Sequence, residues 1–319
     1  MQYIFSIISS SNLFPACNTR SLRHLYFLKS TVINVTICSK SVSKFKTNST
    51  FTNIPSFSSS NYAAARPRYT EDLLNKIFEY HKSGSALSVD LGCGPGTITS
   101  YLSERSNHVL GVDPSSNMLN EAKKQLDGLK NVELHQGLAN ELPSLLSEPA
   151  DLIVSAQAAH WFHSPPNNTS NCDLWKDIGA SLRSGGSLVY LVYGDIEVLN
   201  YPNLSAFQRV KDILQPYWQQ PGRRFLVNLL RDVEFPEWGV NTQRQFFDKE
   251  TGYVLKNSTS ISAFSEYIST WSSYSKYLEQ SNANTQLIEQ LNKDIKEEVG
   301  GDKPLEIAFP VALFMCQKE

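Results

Sequence analysis

Apolar residues begin to recur with a regular period only after position 68. Leu73, Leu74, Ile77 and Phe78 stand at helical spacing behind Thr70, a side chain suited to cap a helix, and predict a first helix ending near Gly84. The apolar run Leu87 to Leu91 follows, and its strand character ends in Gly92-Cys93-Gly94-Pro95-Gly96, behind which a helix of about nine residues reaches Arg105. The same unit then repeats. Val109 to Val112 reads as a second strand ending in Asp113, and Pro114 opens a helix through Met118, Leu119 and Ala122. Val132 to His135 and Leu152 to Ala156 read as strands three and four. Leu174 to Leu182 is helical, and Ser187 to Tyr193 is a fifth strand behind the Gly185-Gly186 turn. Strands alternating with helices predict a parallel sheet covered on its faces, an α/β fold.

Past Tyr193 this alternation stops for about 110 residues. The stretch contains Pro216, Pro221 and Pro236 and one aromatic-rich helix candidate, Ile261 to Trp271, and we read about 195–300 as an insertion that covers something. Leu305 to Cys316 closes the chain as one long strand. Pro310 interrupts it and, lacking an N–H for the ladder, predicts a bulge or an edge there.

The first 70 residues differ in kind. They carry eight Lys and Arg and no acidic residue, so the remainder of a chain with net charge -2 is distinctly acidic. With Ser/Thr enrichment and no periodicity, residues 1–56 read as an extension to a 57–319 domain. Its acid-free, Arg-containing composition suits a mitochondrial transit peptide, its first 16 residues suit a short secretory segment without a basic flank, and its whole length suits a chain that packs no core. A cytoplasmic location, or a mitochondrial one through residues 1–56, follows from these readings. The overall charge argues against a nucleic-acid partner. Five cysteines at irregular spacing, with no C-x-x-C pair, fit neither a disulfide framework nor a zinc site, so no metal is expected. No apolar run reaches the length of a membrane span. Oligomeric state leaves no trace in the pattern.

The candidate chemistry lies at the first strand end. Glycines placed between a strand and a helix let a ligand approach the backbone closely. A dinucleotide turn would space its glycines G-x-G-x-x-G; here the third comes one residue early and Pro95 removes a donor, which favours a nucleoside cofactor without phosphates. Asp113, at the next strand end, has the paired oxygens to accept both ribose hydroxyls.

In Asp90 to Gly96 and Gly111 to Ser115 the sequence resembles the class I S-adenosylmethionine-dependent methyltransferases. That resemblance implies a Rossmann-like seven-stranded sheet with its last strand antiparallel, and S-adenosylmethionine over the ends of strands one, two and four. It also implies that Asp90, Gly92 and Gly94 line the methionine side, that Asp113 holds the ribose, and that Met118 packs near the adenine. Leu138 stands where the family often has an acid for the adenine amine, which leaves Ala139 to serve through its backbone. Tyr62-Ala-Ala-Ala-Arg66-Pro-Arg-Tyr69, Ala159-His160-Trp161-Phe162, Pro216 to Arg223 and Tyr267 to Tyr274 resemble the fungal trans-aconitate 3-methyltransferases over roughly residues 57–319. A drug-methylating branch shares much of this pattern.

Among individual residues, Tyr62, Arg66 and Gln157 are candidates for the cofactor cleft, Arg66 over the cofactor carboxylate or else lying across apolar surface. His160 and Arg223 are candidates for catalysis, and Trp161, Arg223 and Trp271 for substrate contact. His160-Trp161 reads equally as aromatic packing, and Trp271 as core. The expected activity is methyl-ester formation on a small polycarboxylate, trans-aconitate foremost. Methylation of another small acid or xenobiotic, or S-adenosylmethionine binding without turnover, are the alternatives.

Overall fold

A computed structural model describes residues 59–82, 84–163 and 171–319; the extension 1–56, with every reading attached to it, lies outside the described residues. Helix α1 (Ser59–Ala65) precedes α2 (Glu71–His81), whose first turn is capped as expected, Leu73 N–H donating to Thr70 Oγ1 at 3.3 Å. Helix α2 stops three residues before Gly84 because Lys82 turns left-handed, at φ 58°.

Strands β1 (Ser85–Leu91), β2 (Ser106–Asp113), β3 (Val132–Gln136), β4 (Ala150–Ala156) and β5 (Leu182–Tyr193) fall where the apolar runs put them, several starting earlier than the runs suggest. Between them lie α3 (Thr97–Ser103), α4 (Ser116–Gln125), the short α5 (Leu142–Leu145), α6 (Ala159–Phe162) and α7 (Asn171–Ser181). Ser115, rather than Pro114, begins α4: its hydroxyl accepts from Met118 N–H at 3.3 Å.

The stretch beyond Tyr193 forms β6 (Glu197–Val198), α8 (Ser205–Leu214), α9 (Gly222–Val227), β7 (Gly239–Phe247), β8 (Leu255–Thr259), α10 (Ile261–Ser269), α11 (Ser272–Leu278) and α12 (Leu287–Val299). Finally come β9 (Leu305–Phe309) and β10 (Val311–Lys318). The main sheet runs β3-β2-β1-β4-β5-β10-β7, the first five strands parallel and β10 antiparallel to both of its neighbours. The last strand of the chain is thus the antiparallel one. It lies one position in from the sheet edge.

Two expectations need correction here. Leu305 to Cys316 is two strands in two sheets: β9 sits between β6 and β8 in a small antiparallel sheet, and Pro310 is the corner between them. A residue with no N–H fits a corner that belongs to neither ladder. The helix predicted over Ile261 to Trp271 forms but ends two residues early, at Ser269. Trp271 adopts extended backbone, at ψ 137°, while its ring packs against Trp218, Phe207 and Tyr267, so burial of the indole outweighs one more helical turn.

Neighbouring strand residues feed opposite faces of the sheet, as the two-residue period requires. Val109, Leu152 and Val189 join the apolar layer with α2, α10 and α12. Leu110, Ile153 and Leu188 join a second layer with Trp175, Tyr190 and Phe314. Burial on both faces makes the central strands nearly continuous apolar runs, which is why they were readable.

Candidate active site

Three glycines follow β1 with positive φ, and the space around each gives it a separate task. A Cβ on Gly92 would lie 2.3 Å from Ala158 Cβ, and one on Gly96 would lie 2.7 Å from Leu126 Cδ1, so those two permit close packing. A Cβ on Gly94, at φ 53°, would meet nothing within 4 Å. The turn therefore packs tightly at its ends and opens at its middle.

Two carboxylates flank that opening. Asp90, at 1 % exposure, accepts from Thr99 Oγ1 at 2.7 Å. Asp113, at 9 %, accepts from Gly94 N–H at 2.9 Å and from Ser115 N–H at 2.8 Å. Among the described residues no cation pairs with either. Burial, with the Asp113 charge adding, pushes the Asp90 carboxyl up to about 7. Burial likewise pushes Asp113 up to about 6 against the two backbone donors that favour its charge. Buried carboxylates without counter-charge are costly to keep, and their siting at adjacent parallel strand ends beside an open glycine is what a polyhydroxylated, cationic ligand needs. Each Asp113 oxygen retains a lone pair, so a ribose fits without displacing either N–H. Met118, buried on α4, follows the end of β2, and Ala139, opening the short turn after β3, follows the end of the neighbouring strand. These residues fit S-adenosylmethionine.

A pocket of about 510 Å³, part of it open to solvent, lies beyond β4 and β5; Tyr62, Arg66, Gln157, His160, Trp161, Arg223 and Trp271 all contribute to its lining. Arg66 Nη1 donates to the Tyr193 hydroxyl at 3.2 Å and Nη2 to the Thr270 carbonyl at 3.1 Å, with Tyr62 and Tyr267 rings 4.5 and 5.2 Å from the guanidinium. The alternative of Arg66 lying across apolar surface therefore gives way to a held guanidinium. Its Nε is buried and has no hydrogen-bond partner among the described residues.

Gln157, at φ 55°, uses both ends of its amide on one residue: Nε2 donates to the Tyr193 carbonyl at 3.1 Å and Oε1 accepts from the Tyr193 N–H at 2.9 Å. It fixes the strand end that carries the Arg66-holding hydroxyl.

His160 is buried, and its ring lies 4.7 Å from that of Trp161. Burial, reinforced by the positive charges of Arg66 and Arg223, pushes its imidazole down to about 3. It is neutral at physiological pH. Arg223 sits in the first turn of α9; its Nη2 donates to Asp195 Oδ2 at 2.5 Å, and Trp218 lies 4.0 Å beneath its guanidinium. Trp271 joins both readings, being core at 4 % exposure and pocket wall at once. Tyr193, Asp195, Trp218 and Tyr267 also line the pocket and are not among the sequence candidates; position at the end of β5 is the one signal that points to Tyr193 and Asp195. Among the described residues no group of three or more His, Cys, Asp or Glu is placed to hold a metal ion, and no helix is long and apolar enough to cross a membrane.

Comparison with known proteins agrees with this geometry. Residues 89–186 match the description of a methyltransferase domain. Over 286 residues the chain is 25 % identical to CRG1 of Saccharomyces cerevisiae, described as a "probable S-adenosylmethionine-dependent methyltransferase", covering 82 % of this chain and 96 % of that one. It is 32 % identical to the trans-aconitate 2-methyltransferase of Rhizobium etli over 137 residues, 41 % of this chain and 48 % of that enzyme. Among solved structures, a "putative type II methyltransferase" from Anaeromyxobacter dehalogenans shares the fold with a TM-score of 0.60 at 21 % identity, over 79 % of this chain and 97 % of that one. The matched domain spans the strand ends that carry both buried carboxylates and the open glycine, and that agreement of sequence, strand order and site marks residues 89–186 as a methyltransferase domain for S-adenosylmethionine on a sheet with the class I methyltransferase strand order.

Proposed function

We propose that this methyltransferase esterifies a carboxylate of a small polycarboxylic acid, trans-aconitate first among the acceptors to test. The observation that carries the reading is a pocket lined by two guanidinium groups, Arg66 and Arg223, whose buried His160 is pushed down to about 3 and whose Tyr62 phenol is pushed by burial up to about 12. An acceptor that needed deprotonation would find neither of these two groups titrating near neutrality. A carboxylate arrives ionised, its ordinary pKa being about 4, and needs cations and exclusion of water instead. Bound S-adenosylmethionine supplies a methyl carbon on a sulfonium: the carboxylate oxygen gains the C–O bond as the C–S bond breaks, the electron pair stays on sulfur, and no proton is released.

In this reading Asp113 accepts from the ribose, Asp90 and the open turn at Gly94 face the methionine end, and Met118 and the Ala139 backbone border the adenine. Arg66 and Tyr62 close over the cofactor carboxylate, and Gln157 keeps Tyr193 in place to hold Arg66. Arg223 binds an acceptor carboxylate in the planar manner suited to a guanidinium, and Trp161 and Trp271 wall off water. The trans-aconitate 2-methyltransferase name of the Rhizobium relative supports the acceptor class.

The test is incubation of the purified chain with methyl-labelled S-adenosylmethionine and a panel of mono-, di- and tricarboxylates. Label that enters a polycarboxylate and is released by mild base is expected. Label in a base-stable product, or cofactor binding with no S-adenosylhomocysteine formed on any acceptor, would overturn the assignment.

A further inference from the structure

The connection from β5 to β6 is only three residues, Gly194 to Ile196, and both of its ends are fixed. Gly194 N–H donates to the Pro310 carbonyl at 2.8 Å, and a Cβ there would come 3.1 Å from Pro310 Cγ and 3.3 Å from Leu229 Cδ2. Ile196 is buried at 3 % exposure. Asp195, between them, is therefore no loose surface charge. Its side chain, 43 % exposed, sits at the pocket rim, whereas that of Arg223 is inside at 12 %.

The contact between them uses one corner of the guanidinium, Nη2 to Asp195 Oδ2. Trp218 covers a face. Among the described residues Nε and Nη1 donate to nothing, so an edge of Arg223 is still available to a second carboxylate. The other guanidinium differs in kind: Arg66 is held by a phenol hydroxyl and a backbone carbonyl, with no carboxylate partner among the described residues. Tyr267 lines the same pocket as Asp195, and its phenol is pushed up by burial, with the Tyr193 charge and, least of all, the Asp195 charge adding. With Arg66 given to the cofactor carboxylate, an acceptor with several carboxylates thus meets attraction at the open edge of Arg223 and repulsion at one fixed point of the rim.

We propose that Asp195 is a specificity-determining residue of the acceptor site: it holds Arg223 by one corner and, as a like charge, turns surplus acceptor carboxylates away, so that one particular carboxylate is presented for methylation. This inference rests on the carboxyl-methylating reading. Asp195 steers rather than reacts, and regiochemistry is the property it controls.

The experiment is to give trans-aconitate to the wild type, Asp195→Asn and Asp195→Glu, and to separate and identify the monomethyl esters. One regioisomer dominates for the wild type and for Asp195→Glu. In Asp195→Asn, removal of a juxtaposed like charge lowers the isomer ratio by about tenfold or more, with affinity for S-adenosylmethionine unchanged. A second measurement needs no variant: replacing a surplus acceptor carboxylate by a neutral carboxamide loosens the regiochemistry of the wild type as well. A wild type that already yields a mixture, an isomer ratio shared by wild type and Asp195→Asn, or a ratio that ignores the carboxamide overturns the inference while leaving ester formation intact. Absence of any base-labile ester from the wild type overturns the underlying reading, and this inference with it.

Discussion

Asp90→Asn should make the cofactor-free protein more stable and a poorer binder of its cofactor. Asp90 is almost fully buried and has one polar side-chain partner, the Thr99 hydroxyl. Its carboxyl titrates at about 7 in the fold against an ordinary 3.8. The folded state thus binds this proton more tightly than the unfolded state, so its contribution to stability falls as pH rises from about 4 to about 7 and is level above that. A carboxyl displaced that far upward sets a ceiling of about 4 kcal/mol, and relaxation around the charge reduces the expected gain for the amide to about 2 kcal/mol at pH 8. The Asn carbonyl can still accept from Thr99, so no hydrogen bond need be lost. For a chain of this size that gain raises Tm by roughly 4 °C or more, and the gain shrinks at pH 5.5, where the wild-type carboxyl is mostly neutral. Loss of the charge-assisted contact to the cofactor costs about tenfold or more in Kd. Thermal unfolding of both proteins from pH 5.5 to pH 8, with calorimetric titration of S-adenosylmethionine, checks both parts. A variant that melts below the wild type at pH 8, or whose Tm follows pH in parallel with it, refutes the reasoning.

Gly92→Ala and Gly94→Ala, both at positive φ, should separate packing from binding: the first drives a Cβ into Ala158 and loses soluble folded protein, whereas the second stays folded and weakens S-adenosylmethionine binding at least about tenfold; circular dichroism and titration that rank them the other way would contradict the division of labour in the turn. Arg223→Ala should raise KM for trans-aconitate and lower kcat/KM by about a hundredfold with cofactor affinity retained, and Arg223→Lys should recover only part of this, since a point charge cannot reproduce the planar fork; steady-state kinetics showing wild-type kcat/KM in the alanine variant would remove Arg223 from the acceptor site. Because His160 is neutral above about pH 3, kcat at saturating cofactor and acceptor should show no inflection near pH 6.5 that belongs to it; a limb of the profile that disappears in His160→Gln would show that it titrates during turnover.

Sequence made the cofactor half of the molecule legible because two signals coincide there. Central strands buried on both faces give unbroken apolar runs, and the glycines and aspartates sit where those runs end, so Asp90, Gly94 and Asp113 could be placed from the chain alone. The acceptor half follows other rules. Strand β7 is partly exposed along its whole length and shows no two-residue alternation, so Gly239 to Phe247 read as irregular chain although it completes the main sheet. Asp195 acts through a pairing with a residue 28 positions away, and nothing local marks it. Gln157 lines the pocket, yet its amide is spent on the backbone of Tyr193, a contact 36 residues apart that no pattern encodes. Pro310 was informative about hydrogen bonding and silent about which sheet each flanking strand would join.

The position of β10 matters for the order in which a nascent chain can acquire its structure. Synthesis delivers β5 and then β7, but neither has its mutual neighbour until Val311 to Lys318 emerges, because β10 lies between them. Until then the partly built sheet presents two unsatisfied edges, a geometry that invites pairing with other chains. The cofactor-side strands β1 to β4 can assemble well before that moment, while the sheet beside the Arg223 pocket waits for the last strand. Chaperone dependence, aggregation during expression and sensitivity to C-terminal fusions should therefore concentrate at one seam, the slot between β5 and β7.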